Sequence, residues 1–148
     1  MYNNYRVLQM TNEAIGDVAV SDYMPLGRIT RRVFGPEKCP DTFIVNNTNV
    51  NNVVINEPGN FDILYNASLT AAADGTLALD LVVNGQTMYT VSATVTTGDT
   101  VNITLPYQIR VFPNCASHPD NVPSNVEIQL AGVAVTNGTG VLRIERVY

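Results

Sequence analysis

The sequence predicts an all-β domain: two antiparallel sheets of eight to ten strands stacked as a sandwich, with an extended N-terminal arm. Three observations carry this. Apolar residues recur on every second position, most regularly in GNFDILYNASLTAAADGTLALDLVVNGQTMY, residues 59–89. Period two marks a strand buried on one face, and such strands need a second sheet to cover them. Clusters of Gly, Pro, Asn and Asp punctuate these runs, and no helical period of useful length intervenes. Composition points the same way. Hydrophobic residues make up 45% and charged residues only 14%, so surface polarity must come from neutral side chains. Thr and Val suit pleated strands, and Asn suits the turns between them. A chain of 148 residues is long enough for one domain with its own core.

The elements follow in order. Residues 1–27 have weak periodicity and read as the arm, with room for one strand. Residues 28–148 read as the sandwich. RITRRVF (28–34) alternates, with Ile29 and Val33 on one side and Arg28, Thr30 and Arg32 on the other. GPEKCPD (35–41) is a loop, TFIVNN a short strand, and TNVNNVVINEPG a strand ending in a turn. Phe61, Ile63, Tyr65, Ala67 and Leu69 point one way from the next strand, with Leu64 an exception on the far side. Leu77, Leu79, Leu81 and Val83 alternate after the AADG turn. Asn84-Gly85 is a hairpin signal, because both residues tolerate the positive φ of a type I′ turn. Tyr89, Val91, Ala93 and Val95 continue the pattern. VNITLPYQIRVF follows, and Pro106 within it breaks the ladder or places the strand on an edge. PNCASHPDNVPSN (113–125) is the longest loop. VEIQLAGVAV and VLRIERVY read as the last two strands, with TNGTG as the turn between them.

The net charge of −5 opposes general nucleic-acid binding, which needs basic groups against phosphates. The charge is uneven. Residues 1–38 carry Arg6, Arg28, Arg31, Arg32 and Lys38 against Glu13, Asp17, Asp22 and Glu37, a net of +1; residues 39–148 carry three Arg against nine acids, a net of −6. No signal peptide and no run of roughly 20 apolar residues is present. The chain is therefore expected in a cytosol, or outside it only as part of a particle released by lysis. Four N-x-S/T matches, beginning at Asn46, Asn66, Asn102 and Asn137, read as products of the composition.

No catalytic or cofactor constellation emerges. The one histidine, His118, lies beside Ser117 and Asp120, but adjacency in a loop does not make a triad. One His and two Cys fall short of a zinc site, and one His cannot furnish the ligand cluster of a cupin-type enzyme. The acids Asp62, Asp74, Asp80 and Asp99 read as solvated turn and strand-surface residues, and AADGT is too short for a dedicated calcium loop. Cys39 and Cys115 are two reduced thiols, or a single bridge between loops in an oxidising medium. The sharp polar feature is the Arg cluster. It either blunts an edge strand or contacts an acidic partner surface through forked guanidinium donors. With the interface-type residues Tyr2, Tyr5 and Tyr23, Arg28, Arg31 and Arg32 form the candidate docking set. Leu64, Val82 and Phe112 are left over from the inward pattern and are candidates for packing against sister subunits.

GNFDILYNASLT and LALDLVVNG resemble the paired strands of tumour necrosis factor-like and complement-type globular heads. The order MPLGRITRRVF, Cys39, EPGNFDILYNASLT, LALDLVVNGQ, NITLPYQIRVFPNC, VEIQLAGVAV, VLRIERVY is similar to small jelly-roll proteins of tailed phages and prophages of gut Firmicutes-type bacteria. The resemblance covers most of residues 24–148. It implies a jelly roll of about eight strands, a compact homotrimer, and a structural place on a virion: capsid decoration or head fibre, made in the host bacterial cytoplasm. It implies no enzymatic residues, no cofactor and no metal. The partner it implies is the major capsid protein or another virion protein. No Gly-X-Y stalk or heptad segment is present, so any trimer is held by the heads or the arm. The alternative is a carbohydrate- or receptor-binding module of a tail fibre or cell surface, with NNTNVNN, AAADG and CASHPDNVPSN presenting Asn and Asp to sugar hydroxyls. Low aromatic content, 7% with no Trp, speaks against it.

Overall fold

The computed structural model describes residues 5–33, 42–45, 50–112 and 123–147. Tyr2, Cys39, Cys115 and His118 lie outside the described residues, as do both readings of the cysteines. Ten strands and no helix are present among the described residues: β1 (Arg6–Asn12), β2 (Arg28–Val33), β3 (Phe43–Val45), β4 (Val53–Ile55), β5 (Gly59–Ala71), β6 (Gly75–Val83), β7 (Gln86–Val95), β8 (Thr100–Val111), β9 (Ser124–Ala131) and β10 (Val135–Arg146). They form two five-stranded sheets. Sheet I has the order β2-β1-β10-β5-β8 and sheet II the order β3-β4-β9-β6-β7. All named pairings are antiparallel.

The alternation read from the sequence sets the core. Phe61, Ile63, Tyr65, Ala67 and Leu69 of β5 are buried, and they meet Leu77, Leu79, Leu81 and Val83 of β6 in one apolar cluster between the sheets. Burying each large side chain of this kind is worth roughly 1.5–3 kcal/mol. The β6–β7 hairpin turns at Asn84 (φ 51°) and Gly85 (φ 82°), as the Asn-Gly pair predicts. β8 runs unbroken through Pro106, which lies opposite Leu64 on the edge of sheet I. An edge strand has one side free of ladder bonds, so the missing N–H costs nothing there.

Three sequence expectations need correction. TNGTG is not a turn: Asn137–Gly140 lie within β10, paired with β5. Its glycines serve close approach. A Cβ on Gly138 would lie 2.5 Å from the Ser68 carbonyl oxygen, and one on Gly140 would lie 2.6 Å from the Tyr65 hydroxyl. The actual turn is at Gly132, with φ 83°, inside what the sequence shows as one run. β2 does not alternate simply. Its register against β1 shifts between Gln9 and Met10, leaving Thr30 without a partner, so Ile29 opposes Met10 and Arg32 opposes Leu8. The bulge turns Arg32 to the inner face, and its guanidinium donates to the Phe43 carbonyl at 2.6 Å. A bulge reverses which residues face inward.

The third correction concerns the arm. The one strand expected there is present, but it is no appendage. β1 sits between β2 and β10, with Val7, Leu8 and Met10 fully buried. Residues 13–27 then form a strap. It bonds to β10 through Val18 and Val135 (3.0 and 3.1 Å) and to β9 through Ser21, Asp22 and Met24 (2.8, 2.9 and 2.7 Å), and Leu26 donates to the Val50 carbonyl. Ile15, Val18, Met24 and Leu26 are buried in the core. The chain thus leaves sheet I, runs along sheet II and returns to sheet I, closing that side of the sandwich with its own residues.

Candidate assembly surface

The opposite side of the sandwich has no strap. There β7 is the edge of sheet II and β8 the edge of sheet I. Both are long, and the loop at 96–99 joins them at one end. Tyr89 and Tyr107 span the gap, stacked at 5.3 Å between centroids and 18° between planes. Met88, Val91, Ala93 and Val101 lie half-buried or partly covered along it. Tyr89 is 40% exposed, although its register opposite Leu81 aims it at the core.

Edge strands are normally protected against pairing with other chains. β2 carries three arginines. β3 is three residues long. β8 has Pro106 and Arg110. β7, QTMYTVSATV, has neither charge nor proline over its ten residues. It is the edge without protection among the described strands.

The outer face of sheet I adjoins this side. A groove of about 520 Å3 crosses it, floored by Leu64 and Pro106 and flanked by Asp62, Gln108, Arg143 and Glu145. Its polar groups are paired with each other. Gln108 Nε2 donates to Asp62 Oδ1 at 2.9 Å, and Arg143 reaches Glu145 at 3.3 Å and the Tyr5 hydroxyl at 3.2 Å. Further along, Thr104 Oγ1 donates to Asn66 Oδ1 at 2.8 Å, and Thr70 and Thr100 share a 3.0 Å bond. Side chains bonded to one another in this way lose less when water is removed than unpaired ones, because they keep a partner.

The structure disperses the two sets of residues singled out in the sequence. Of the docking set, Tyr5 and Arg31 share the outer face of sheet I, by their register beside Val7 and opposite Gln9. Arg32 faces inward. Arg28 pairs with Glu13 at 3.7 Å, both well exposed, a contact worth at most about 1 kcal/mol. Tyr23 is on the strap, bridged to Gln129 of sheet II. Of the subunit-contact set, Leu64 lies in the groove. Phe112 follows the end of β8 with the Arg110 guanidinium 4.9 Å from its ring centroid. Val82 is only 3% exposed, so it has almost no surface to give a neighbour.

Two clusters had no sequence signal. Glu57, from the EPG turn, receives a 2.6 Å bond from Thr42 Oγ1 and pairs with Arg6 (3.3 Å) and Arg146 (3.6 Å). Arg6 and Arg146 oppose each other on β1 and β10. One carboxylate therefore clamps the first and last strands at their shared end. The Tyr89–Tyr107 stack was also missed. Its partners lie on different sheets, and only their common inward phase could have suggested a meeting. No group of three or more His, Cys, Asp or Glu close enough to hold a metal ion occurs among the described residues. No helix among them is long and apolar enough to cross a membrane.

No family model and no curated protein matches the sequence. Solved structures do match the fold. The globular domain of zebrafish complement 1qA protein superposes with a TM-score of 0.67 at 8% identity, covering 97% of this chain and 98% of that one. The fold is a jelly roll of this type. Eiger TNF from S. frugiperda gives 0.70 at 9% identity, covering 99% and 94%. The PRD1 vertex protein P5 gives 0.59 at 12% identity, covering 97% of both chains. At such identities the likeness speaks to architecture alone.

Proposed function

We propose that this chain is a non-enzymatic structural protein of a bacteriophage virion, of the capsid-decoration or head-fibre type, acting as a homotrimer. The observation that carries the self-assembly is the unstrapped side: a charge-free edge strand beside an exposed, stacked tyrosine. The contact joins unlike surfaces, the open side of one copy and the outer face of sheet I of the next. Heterologous contacts of this kind close into a ring when the rotation permits. Leu64 and Phe112 keep surface for that contact. Val82 does not, and it is withdrawn from the set.

The virion placement rests on the resemblance of the sequence to small phage jelly rolls, and the architecture shared with the PRD1 vertex protein P5 is one that a virion protein uses. Attachment to the major capsid protein or another virion protein falls to the N-terminal end. Tyr5 and Arg31 are its described members on one face, and Tyr2 lies three residues before Tyr5 in the sequence. The strap is committed to the core, so removing residues 1–27 would unfold the head and test nothing. The informative variants are Arg31→Glu and Tyr5→Ala. The test is co-sedimentation of the chain with intact particles from a lysate of its host, with threefold protrusions in their reconstruction. Recovery of the chain from the unsedimented fraction alone contradicts the placement.

A second reading, a carbohydrate- or receptor-binding module, is favoured by one observation: a cleft against the strap whose polar side chains have no partners among the described residues.

A further inference from the structure

Where the strap passes the segment at 50–51, a cleft of about 220 Å3 opens between Asp17, Asp22, Tyr23, Pro25, Val50 and Asn51. It lies on the strapped side, away from the proposed assembly surface. Its character differs from the groove on sheet I. There the polar groups are bonded to one another. Here the Asp17, Asp22, Tyr23 and Asn51 side chains make no hydrogen bond or ion pair with any described residue. The backbone beneath them is nevertheless fixed. Asp22 N–H donates to the Ala19 carbonyl at 3.1 Å, the Asp22 carbonyl accepts from Leu130 at 2.9 Å, Tyr23 bridges Gln129, and Leu26 donates to Val50 at 2.7 Å. The backbone that carries these groups is thus fixed, and the Asp17 and Asp22 carboxylates stand exposed to solvent on it, free to meet a ligand.

We infer that this cleft is a subsite for one neutral sugar residue. A pyranose offers hydroxyls that both donate and accept, and an apolar face of C–H groups. The cleft matches each part. Two carboxylates accept from hydroxyl donors, in bonds roughly twice as strong as neutral ones. The Asn51 amide and the Tyr23 hydroxyl both donate and accept. Tyr23, Pro25 and Val50 supply the apolar wall, in the mixture of apolar lining and a few placed polar groups that small-ligand sites show. A lysine or arginine side chain would satisfy the two carboxylates but leave the amide and phenol without a role. The volume suits a single ring. Affinity for one ring is expected in the millimolar range, about 1 mM or weaker. Three copies on one assembly raise it by multivalency. The inference deepens the carbohydrate reading and is independent of the virion placement.

The test is amide chemical-shift mapping of the 15N-labelled chain with the methyl glycosides of glucose, galactose, mannose and N-acetylglucosamine, up to about 50 mM. At least one should move the amides of Val18, Tyr23 and Asn51 while leaving β7 unmoved. The isosteric pair Asp17→Asn with Asp22→Asn, which breaks no bond to a described residue, should weaken that glycoside about tenfold or more, and Tyr23→Leu should weaken it further. Silence from all four glycosides overturns the inference. So does unchanged binding by the Asn variants, or movement of the same amides by N-acetylarginine methylamide alone, which would assign the cleft to a basic side chain. None of these outcomes bears on oligomeric mass or particle attachment, which test the proposed function separately.

Discussion

The two long sides of this sandwich are built from the same kind of strand and end differently. On the β2–β3 side the chain crosses between the sheets and back, burying Ile15, Val18, Met24 and Leu26. On the β7–β8 side it supplies two stacked tyrosines and leaves one of them 40% exposed. A sandwich open at one side still folds, because most inward residues are covered by the facing sheet. The exposed remainder is what a second copy would cover. Closure by the chain itself and closure by another chain are alternative answers to one problem, and this molecule uses the first on one side only.

The comparison predicts unequal costs. Met24→Ala, on the strapped side, should destabilise the chain by about 2–5 kcal/mol, as core truncations do. A urea melt should show a lower midpoint at unchanged slope. A loss below about 1 kcal/mol would mean that the strap lies on the core without belonging to it.

Between the two sides, Tyr65 offers a control that should gain stability. Its hydroxyl is buried and without a hydrogen-bond partner, and burial raises its pKa above the usual 10.0. Tyr65→Phe should stabilise by about 1–3 kcal/mol, the penalty of an unsatisfied buried group. The pH sign follows from linkage. Above pH 10 the unfolded chain loses the phenol proton while the folded chain keeps it, so stability falls as pH climbs from there towards the raised value. The Phe variant should lack that part of the alkaline decline. If wild type and variant melt alike at pH 11, the hydroxyl has found a partner.

On the open side, truncation should matter little to a single copy. Tyr89→Ala removes a stacked pair worth about 0.5–1.5 kcal/mol, so the melt of a dilute sample should shift less than for Met24→Ala. A larger shift in a concentrated sample than in a dilute one would sharpen the contrast, because only assembly depends on concentration. Smallest of all is Asp74, at the end where the loop at 96–99 joins the two edges. It accepts from the Thr97 backbone and hydroxyl at 2.7 and 2.9 Å, which holds its carboxyl below the ordinary range. Its contribution is present above that range and fades as pH falls through it. Asp74→Asn should therefore lower stability slightly at neutral pH, flatten the acid limb and leave the most acidic region unchanged.

The sequence made the sheets legible because strand parity needs only local information. The inward faces of β5, β6 and β8 and the Asn84-Gly85 turn follow from residue spacing, and Pro106 left β8 either broken or on an edge, of which the structure has the edge. What escaped it was non-local. Gly138 and Gly140 look like turn residues, and only the neighbouring Ser68 and Tyr65 show why a side chain is excluded there. The bulge at Thr30 sends Arg32 inward against the simple alternation. Residues 13–27 look like an arm because their apolar residues are irregularly spaced. They contact two different sheets and so owe no fixed period to either. Of the candidate site, Leu64 was legible as an apolar residue on a polar face. The Tyr89–Tyr107 stack, joining residues of different sheets, was not.

The most direct test of the central claim is the solution mass of the wild-type chain and of Tyr89→Lys, by light scattering at micromolar concentration. Three times the chain mass is expected for the wild type. The mass of one folded chain is expected for the variant, with an unchanged β-sheet circular dichroism spectrum. A wild type of single-chain mass, or a Lys variant that keeps the threefold mass, would contradict it.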